Sequence, residues 1–404
     1  RVHVYERGSD LGEGVARAAM AGALRILGHE FVLGRTIESA MGATKSLCSF
    51  DMLGEGARSS DVAERYFSAY RHAVETVGKS GGTGDPLDAH GISIKLSALD
   101  PRLEPLQRNR VLARLVPKVR DLAECAARSR IGLTIDAEES SRTELQLDVL
   151  AAVLQAPDIR GWTGLGIAVQ AYSKRAAAII DWLQELARAN DTRLTVRLVK
   201  GAYWDTEIKA AQMGGLPGYP VFTRKAHTDI AYLSSARRLL DAPLLYPQFA
   251  THNAHTVCAI TEIAGDTPFE FQRLHGMGEL LYDEMRRQSG HDRRVRVYAP
   301  VGAQDHLLGY LVRRLLENGA NSSFVNRFLD DAIPAEQAIR DPLDGIDPHA
   351  VAGHADIPLP RDLYQPERPN SLGIDYGDPS SVRELAADVA GWRAHRWNFR
   401  GRTV

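Results

Sequence analysis

Eight short apolar or alternating segments between residues 49 and 302 constrain the fold of this chain more than any other feature. Each has the length and the β-branched or aromatic content typical of a strand, and helix-like stretches lie between most of them. Eight strands that alternate with helices predict a (β/α)₈ barrel, although a doubly wound open sheet gives a similar pattern. The predicted strands are 49–53, 92–99, 133–139, 166–172, 194–200, 247–253, 269–275 and 295–301, and the clearest predicted helices are 108–129, 176–190 and 229–241.

Polar side chains at the carboxyl ends of these segments favour the barrel. In a barrel all such ends meet at one face, where enzymes of this fold place their chemistry. An open sheet would scatter several of them. We therefore predict one α/β barrel with a site at its carboxyl face, formed from Asp51, Lys95, Asp136, Gln170, Arg197, Lys200, His252 and Tyr298.

Composition argues against several classes of function. The formal net charge of the 404 residues is -2, so neither nucleic acid nor an anionic lipid surface is an expected partner. The three cysteines form no Cys-x-x-Cys pair, which argues against a disulfide framework or a zinc site and favours a reducing cytoplasm. No apolar run approaches the roughly 18 residues that span a bilayer, and peripheral membrane contact is left open.

Proline usage divides the chain, because eight of the 19 prolines fall in the last 74 residues. We predict an N-terminal helical or linker segment over 1–48, the barrel over 49–330, and a proline-rich linker over 331–404. Outside the barrel, we expect helices at 14–28 and 381–397.

The segment VRLVKGAYWD at 196–205 is the strongest local signal for a bound ligand. Gly201 permits close backbone approach, the cations suit a phosphate or an electron-rich ring, and the two aromatic residues suit stacking. Strand parity places Arg197 and Lys200 on opposite faces, so both reach one ligand only if the strand ends or bulges between them. The alternative is an ordinary loop salt bridge.

Three further features carry weaker signals. Arg313 and Arg314 lie on a predicted helix within one turn of Glu317, so they suit either a small anion or an exposed ionic face. Lys95 lies among apolar residues and needs a carboxylate partner, such as Asp136, or a functional role. His252 lacks the partners of a metal motif, and no Gly-x-Gly turn completes a Rossmann fingerprint, so neither metal nor NAD is expected.

Ten motifs spread over about residues 24–330 resemble the proline dehydrogenase domain of the bifunctional proline utilisation A flavoenzymes. They include RLVKGAYWD (197–205), YPQFATHNAH (246–255) and RRLLENGANSSFVNR (313–327). The resemblance implies a distorted (β/α)₈ barrel that binds FAD at its carboxyl face under a final helix. It also implies oxidation of L-proline by hydride transfer from proline C5 to flavin N5.

The resemblance assigns roles to individual residues. Arg313 and Arg314 would hold the proline carboxylate, oriented by Glu55 and Glu317. The catalytic centre would contain Asp136, Arg197 and Lys95, with Arg197 stabilising negative charge on the reduced flavin. A general base is left open between Asp136, Lys95 and none. The proline ring would contact Lys95, Tyr203, Leu274 and Tyr298. The flavin would be bound by Ala137, Gln170, Arg197, Lys200, Gly201, Ala202, Trp204, Thr223, Arg224, Lys225, Thr251 and His252.

Partners follow from the same resemblance. We expect carboxylate-bearing proline analogues to bind, a membrane quinone to accept electrons, and an aldehyde dehydrogenase domain to follow in the full polypeptide. Two other readings remain: a Schiff-base aldolase that uses Lys95 or Lys200, and a non-enzymatic module that binds an acidic partner through Arg313 and Arg314.

Overall fold

A computed structural model of the chain describes residues 31–80, 84–289, 293–302, 341–344, 346, 353–393 and 395–398. The helix predicted at 14–28 lies outside the described residues. The boundary predicted at residue 330 also falls outside them and stays a prediction.

Eight parallel strands form a closed barrel in chain order, which confirms the barrel prediction over the open sheet. Strand β1 closes the barrel against β8, where Ser49 pairs with Tyr298. All eight predicted strands are present. Their bounds are β1 Cys48–Met52, β2 Gly91–Ile94, β3 Gly132–Ile135, β4 Leu165–Gln170, β5 Leu194–Val199, β6 Leu245–Ala250, β7 Glu270–Leu274 and β8 Val295–Val301.

The strand predicted at 92–99 is wrong in its second half, because the chain turns into a short helix at Leu96–Leu99. The backbone N–H of Lys95 donates to Tyr70 Oη over 3.1 Å. The N–H of Ser97 donates to the Glu138 carboxylate over 3.0 Å. These side-chain acceptors come from distant parts of the chain, so local pattern could not reveal the bend.

The helices follow the prediction closely inside the barrel region. The predicted helices 108–129 and 176–190 end within one residue of the observed bounds, whereas the helix predicted at 229–241 begins four residues earlier, at Lys225. The helix predicted at 381–397 spans Pro379–Arg393. The described α-helices are α1 Ile37–Ala43, α2 Ser60–Lys79, α3 Leu96–Leu99, α4 Arg108–Arg128, α5 Thr143–Leu154, α6 Ala176–Ala189, α7 Trp204–Met213, α8 Lys225–Leu240, α9 Ala254–Ala264, α10 Glu279–Ser289 and α11 Pro379–Arg393.

The two faces of the barrel wall differ in chemistry. Outward-facing residues such as Phe50, Ile92 and Leu198 are buried in the apolar core between strands and helices. Branched apolar residues usually fill the inside of such a barrel. Here polar residues replace many of them, and because they are buried their side chains need hydrogen-bond partners. These buried inward-facing residues include Ser49, Ser93, Thr134, Thr195, Gln248 and Gln272.

The segment 353–373 packs against the loops that surround α7. Tyr219 Oη donates to the carbonyl of Pro358 over 2.7 Å. The N–H of Gly373 donates to the carbonyl of Gly215 over 3.0 Å. Ile357 joins an apolar cluster with Tyr172 and neighbouring residues. Among the described residues, none of the helices combines the length and the apolar content that a membrane span requires.

Candidate active site

A buried ion cluster occupies the carboxyl face of the barrel, where β1, β2, β3 and β8 end. Lys95 Nζ lies 2.7 Å from Asp51 Oδ1, 3.3 Å from Asp136 Oδ2 and 3.2 Å from Tyr298 Oη. Tyr298 Oη also donates to Asp136 Oδ2 over 2.6 Å. Lys95 therefore has the carboxylate partner that its burial requires. Asp51 is closer than Asp136, the partner suggested by sequence.

Burial and neighbouring charges fix the protonation of this cluster. Burial by itself would lower the pKa of Lys95, but the charge of Asp51, with a further contribution from Asp136, raises it well above its usual value. Burial first, and then the charges of Asp136 and Asp51, raise the pKa of Tyr298 well above its usual range. Lys95 is thus an ammonium and Tyr298 a neutral phenol at neutral pH.

Arg197 lies deeper in the barrel, where its guanidinium contacts side chains of β1, β2 and β7 and the residue that follows β3. Nε donates to Gln272 Oε1 over 2.7 Å and Nη1 donates to Asp136. Nη2 donates to Ser93 Oγ over 2.9 Å and to Ser49 Oγ over 3.2 Å. The guanidinium carbon also lies 5.0 Å from the centre of the Tyr298 ring. Arg197 thus faces the inside of the barrel and joins the ion cluster directly through Asp136.

The strand that carries Arg197 ends at Val199, which satisfies the condition set by strand parity. Lys200 follows the strand end and pairs with Asp229 on α8. Gly201 has φ of +134°, and a Cβ at this position would lie 2.5 Å from the Tyr172 ring. Glycine is therefore required here both by its conformation and by the close approach of Tyr172.

Three cationic side chains lie after the carboxyl end of β5 and at the start of α8, namely Lys200, Arg224 and Lys225. Lys200 and Lys225 both pair with the single carboxylate of Asp229. Arg224 Nε donates to the carbonyl of Gly353 over 3.0 Å, and Thr223 Oγ1 accepts from the N–H of His354 over 2.9 Å. These contacts leave three cations against one carboxylate. That excess of positive charge suits the diphosphate of a dinucleotide.

Polar contacts also connect the other residues predicted to bind the flavin. Gln170 Nε2 donates to the carbonyl of Glu138 over 2.8 Å, and its Oε1 accepts from the N–H of Ala202 over 3.4 Å. Trp204 Nε1 donates to the carbonyl of Phe222 over 2.9 Å. The amide plane of Gln170 and the indole of Trp204 are thereby held in fixed orientations.

The loop after β6 carries Thr251 and His252. His252 Nε2 accepts from the N–H of Leu274 over 3.0 Å, which occupies the lone pair that a metal would need at this nitrogen. Thr251 is buried, and its carbonyl accepts from Tyr282 Oη over 2.7 Å. Among the described residues, no group of three His, Cys, Asp or Glu side chains is arranged to hold a metal ion.

The structure brings together part of the predicted site. Lys95, Asp136, Arg197 and Tyr298 form one connected cluster. Ala137 follows Asp136 directly, and the predicted ring contacts Tyr203 and Leu274 are half-buried near strand ends, as is Glu55. Arg313, Arg314 and Glu317 lie outside the described residues, so their assigned roles remain predictions.

Sequence reasoning gave no role to several residues of the cluster. Asp51 was recognised only as a polar residue at a strand end, and Ser49, Ser93 and Gln272 were not singled out. A usable signal was strand parity. Ser49 shares the inward face with Asp51, Ser93 with Lys95, and Gln272 with Leu274. Parity identifies that face, but it does not say which residues meet across the barrel.

The family model described as "Proline dehydrogenase" matches residues 35–327 of this chain. The chain belongs to the proline dehydrogenase family. Members of this family are flavin-dependent oxidoreductases, so the barrel is an oxidoreductase domain.

Several relatives that match nearly the whole chain are named as bifunctional proteins. "Bifunctional protein PutA" of Klebsiella aerogenes is 45% identical over 96% of this chain and 31% of that protein. Its counterpart in Escherichia coli strain K12 is 44% identical over the same shares. A crystal structure of a Bradyrhizobium japonicum proline utilization A variant superposes with a TM-score of 0.87 at 53% identity, over 94% of this chain and 40% of that one. The chain spans about a third of the length of these curated relatives.

Proposed function

We propose that this chain oxidises L-proline to Δ1-pyrroline-5-carboxylate with FAD as its cofactor. The observation that carries the proposal is the connected cluster of Lys95, Asp136, Arg197 and Tyr298 at the carboxyl face of a proline dehydrogenase barrel. When bound, FAD supplies the acceptor for the hydride that leaves proline C5. The protein has to bind and orient both molecules and to control charge around them.

The residues around β5 fit a dinucleotide cofactor. Lys200, Arg224 and Lys225 would hold the diphosphate, because one carboxylate, Asp229, balances only part of their charge. Gly201 would allow the cofactor to approach the backbone. The remaining parts of the flavin would be contacted by Ala137, Gln170, Ala202, Trp204, Thr223, Thr251 and His252.

Arg197 would contribute a fixed positive charge next to the flavin ring. Its guanidinium is buried, where electrostatic interactions are strong. A cation held there favours the form of the ring that has gained negative charge. Four hydrogen-bonding partners hold the group in place before the reaction begins, so little reorganisation is needed.

No side chain is needed to remove a proton from the proline nitrogen, because water can take it. The amine must bind in its neutral form, so that its lone pair forms the C=N bond as hydride leaves C5. Lys95 is an ammonium and cannot accept a proton. The carboxylate oxygens of Asp136 already accept hydrogen bonds from Lys95, Arg197 and Tyr298, so they are occupied by other donors. We infer that neither residue acts as a general base and that the product iminium releases its proton to water.

The substrate would lie against Tyr298, Lys95, Tyr203 and Leu274. Its carboxylate would be held by Arg313 and Arg314, with Glu55 and Glu317 as orienting partners. This part of the proposal rests on the family resemblance. A membrane quinone as the electron acceptor and an aldehyde dehydrogenase domain in the full polypeptide rest on it as well.

The Schiff-base alternative is less favoured by the charge state of the site. An imine-forming lysine needs a neutral amine, and the environment of Lys95 keeps it protonated. Burial lowers the pKa of Lys200, but that side chain is paired with Asp229.

The decisive experiment follows the visible absorption of the purified chain under anaerobic conditions. We expect an oxidised flavin spectrum that bleaches on addition of L-proline and stays unchanged on addition of D-proline. Borohydride treatment with substrate, followed by mass spectrometry, tests the aldolase alternative. A protein that cannot bind flavin, or a bound flavin that L-proline does not reduce, would refute the proposal.

A further inference from the structure

The side-chain amide of Gln272 joins two buried ionic groups inside the barrel. Its Oε1 accepts from Arg197 Nε over 2.7 Å, and its Nε2 donates to Glu270 Oε1 over 2.8 Å. The three residues are at least 97% buried. The orientation of the amide is therefore determined: a flipped amide would place its NH₂ against a donor and its oxygen against a carboxylate.

Hydrogen bonds hold the Glu270 carboxylate in a fixed position, so that it can anchor the Gln272 amide. Arg296 Nε donates to Glu270 Oε1 over 2.8 Å, and Arg296 Nη2 donates to Oε2 over 3.1 Å. Gln248 Nε2 adds a third donor to Oε1 over 2.9 Å. Arg296 in turn donates to the carbonyls of Ala89 and Leu87, each over 2.7 Å. The carboxylate is thus tied to the loop that enters β2 at the amino end of the barrel.

The chemistry at position 272 explains why an amide is suited to it. Arginine Nε can only donate, and the Glu270 carboxylate can only accept. A side chain between them has to accept from one and donate to the other at the same time. Glutamine does both at this reach. Nε is also the guanidinium nitrogen nearest the aliphatic stem, so its hydrogen bond limits rotation of the guanidinium plane about the stem.

We propose that Gln272 is a positioning residue that sets the orientation of the Arg197 guanidinium, with the Glu270–Arg296 pair as its anchor. The inference deepens the proposed function and rests on it, because it assumes that Arg197 faces the flavin ring. It connects the amino end of the barrel to the electrostatics of the site at the carboxyl end. No contact of Gln272 with flavin or proline is required.

The test compares Gln272→Met with Gln248→Met. Both replacements remove one donor to Glu270 and have similar size, but only the first removes a partner of Arg197. The midpoint potential of the bound flavin and the anaerobic rate of flavin reduction by L-proline are measured for each. For Gln272→Met we expect reduction to be about tenfold less favourable, which for a two-electron couple is about 30 mV more negative.

The two variants should differ in a defined way. The KM for proline should change less than twofold in Gln272→Met, since the carboxylate is held elsewhere, while the rate of flavin reduction falls. Gln248→Met should retain the potential and the rate of the wild type. If Gln272→Met does not fold, Gln272→Asn keeps the amide but withdraws it from Arg197, and it should shift the potential in the same direction.

If Gln272→Met keeps the flavin potential and the reduction rate of the wild type, as Gln248→Met should, the inference is overturned while the proposed function stays intact. A shift of equal size in both would also overturn it, because the effect would then come from Glu270 and not from the contact with Arg197. Failure of the wild type to bind flavin would contradict the proposed function itself. The two failures are therefore distinguishable.

Discussion

Replacing Lys95 with methionine would leave the carboxylate of Asp51 buried without its cation. The side chain of Asp51 is 1% exposed and lies 2.7 Å from Lys95 Nζ. Asp136 would keep Arg197 as a partner, so the loss falls mainly on Asp51. Removing one member of a buried ion pair costs about 3–5 kcal/mol. At roughly 2–4 °C per kcal/mol for a domain of this size class, we expect Tm to fall by about 6–20 °C.

The loss of folding stability caused by Lys95→Met should depend on pH in a predictable direction. Burial raises the pKa of Asp51 above its usual value of 3.8, and the charge of Lys95 opposes that rise. In the Lys95→Met variant, the pKa of Asp51 is therefore raised further than in the wild type. A carboxyl whose pKa is higher in the folded state contributes less stability as pH increases through the interval between the unfolded and folded values. Lys95→Met should therefore be less destabilised at pH 5 than at pH 8, relative to the wild type.

Thermal unfolding followed by circular dichroism at both pH values measures the effect. Asp51→Asn in the Lys95→Met background removes the uncompensated charge and should recover part of the lost stability, with a coupling of about 0.5–3 kcal/mol. Arg237→Met is the control, because its pair with Asp241 is exposed and worth about 0.3–0.5 kcal/mol. A loss of stability that is independent of pH, or that Asp51→Asn does not relieve, would refute the reasoning.

Three other changes test the proposed site. Arg314→Met should raise the KM for proline by roughly 10- to 150-fold with nearly normal flavin content, because a charge-assisted hydrogen bond is lost; steady-state kinetics and the flavin spectrum check this. Arg197→Ala should weaken flavin binding and slow flavin reduction at least about tenfold, and full occupancy with an unchanged stopped-flow rate would contradict it. Gly201→Ala should cost about 1–3 kcal/mol of stability because of its positive φ and the nearby Tyr172 ring, as measured by urea unfolding.

The fold could be predicted from sequence because its strands have a strong local pattern. Apolar and β-branched residues marked all eight strands, and polar residues at their ends indicated the barrel. The strand end at Ile94 was missed because the acceptors that bend the chain, Tyr70 and Glu138, are distant in sequence. Propensity over a short window does not contain that information.

The site could be predicted only in part. Lys95 stood out because a charged residue within an apolar strand needs a partner, for which Asp136 was a candidate, and Arg197 stood out as part of the segment 196–205. Their contacts with Ser49 and Gln272 depend on how the strands are staggered around the barrel, which parity does not determine. The individual roles of the flavin and proline contacts came from family resemblance, and the described contacts alone do not assign them.

The packing of residues 353–373 depends mostly on main-chain atoms. Pro358, Gly373 and Gly353 each contribute a backbone group to the contacts with the loops around α7 and β5. A surface recognised by its backbone tolerates many side-chain replacements, so this segment can diverge in sequence without losing its position. Gly215 and Gly373 are exceptions, because a Cβ at Gly215 would collide with the carbonyl of Ser371 and a Cβ at Gly373 would collide with the carbonyl of Gly214. We therefore expect the sequence of this region to vary widely among relatives, except at Gly215 and Gly373, where glycine should be retained.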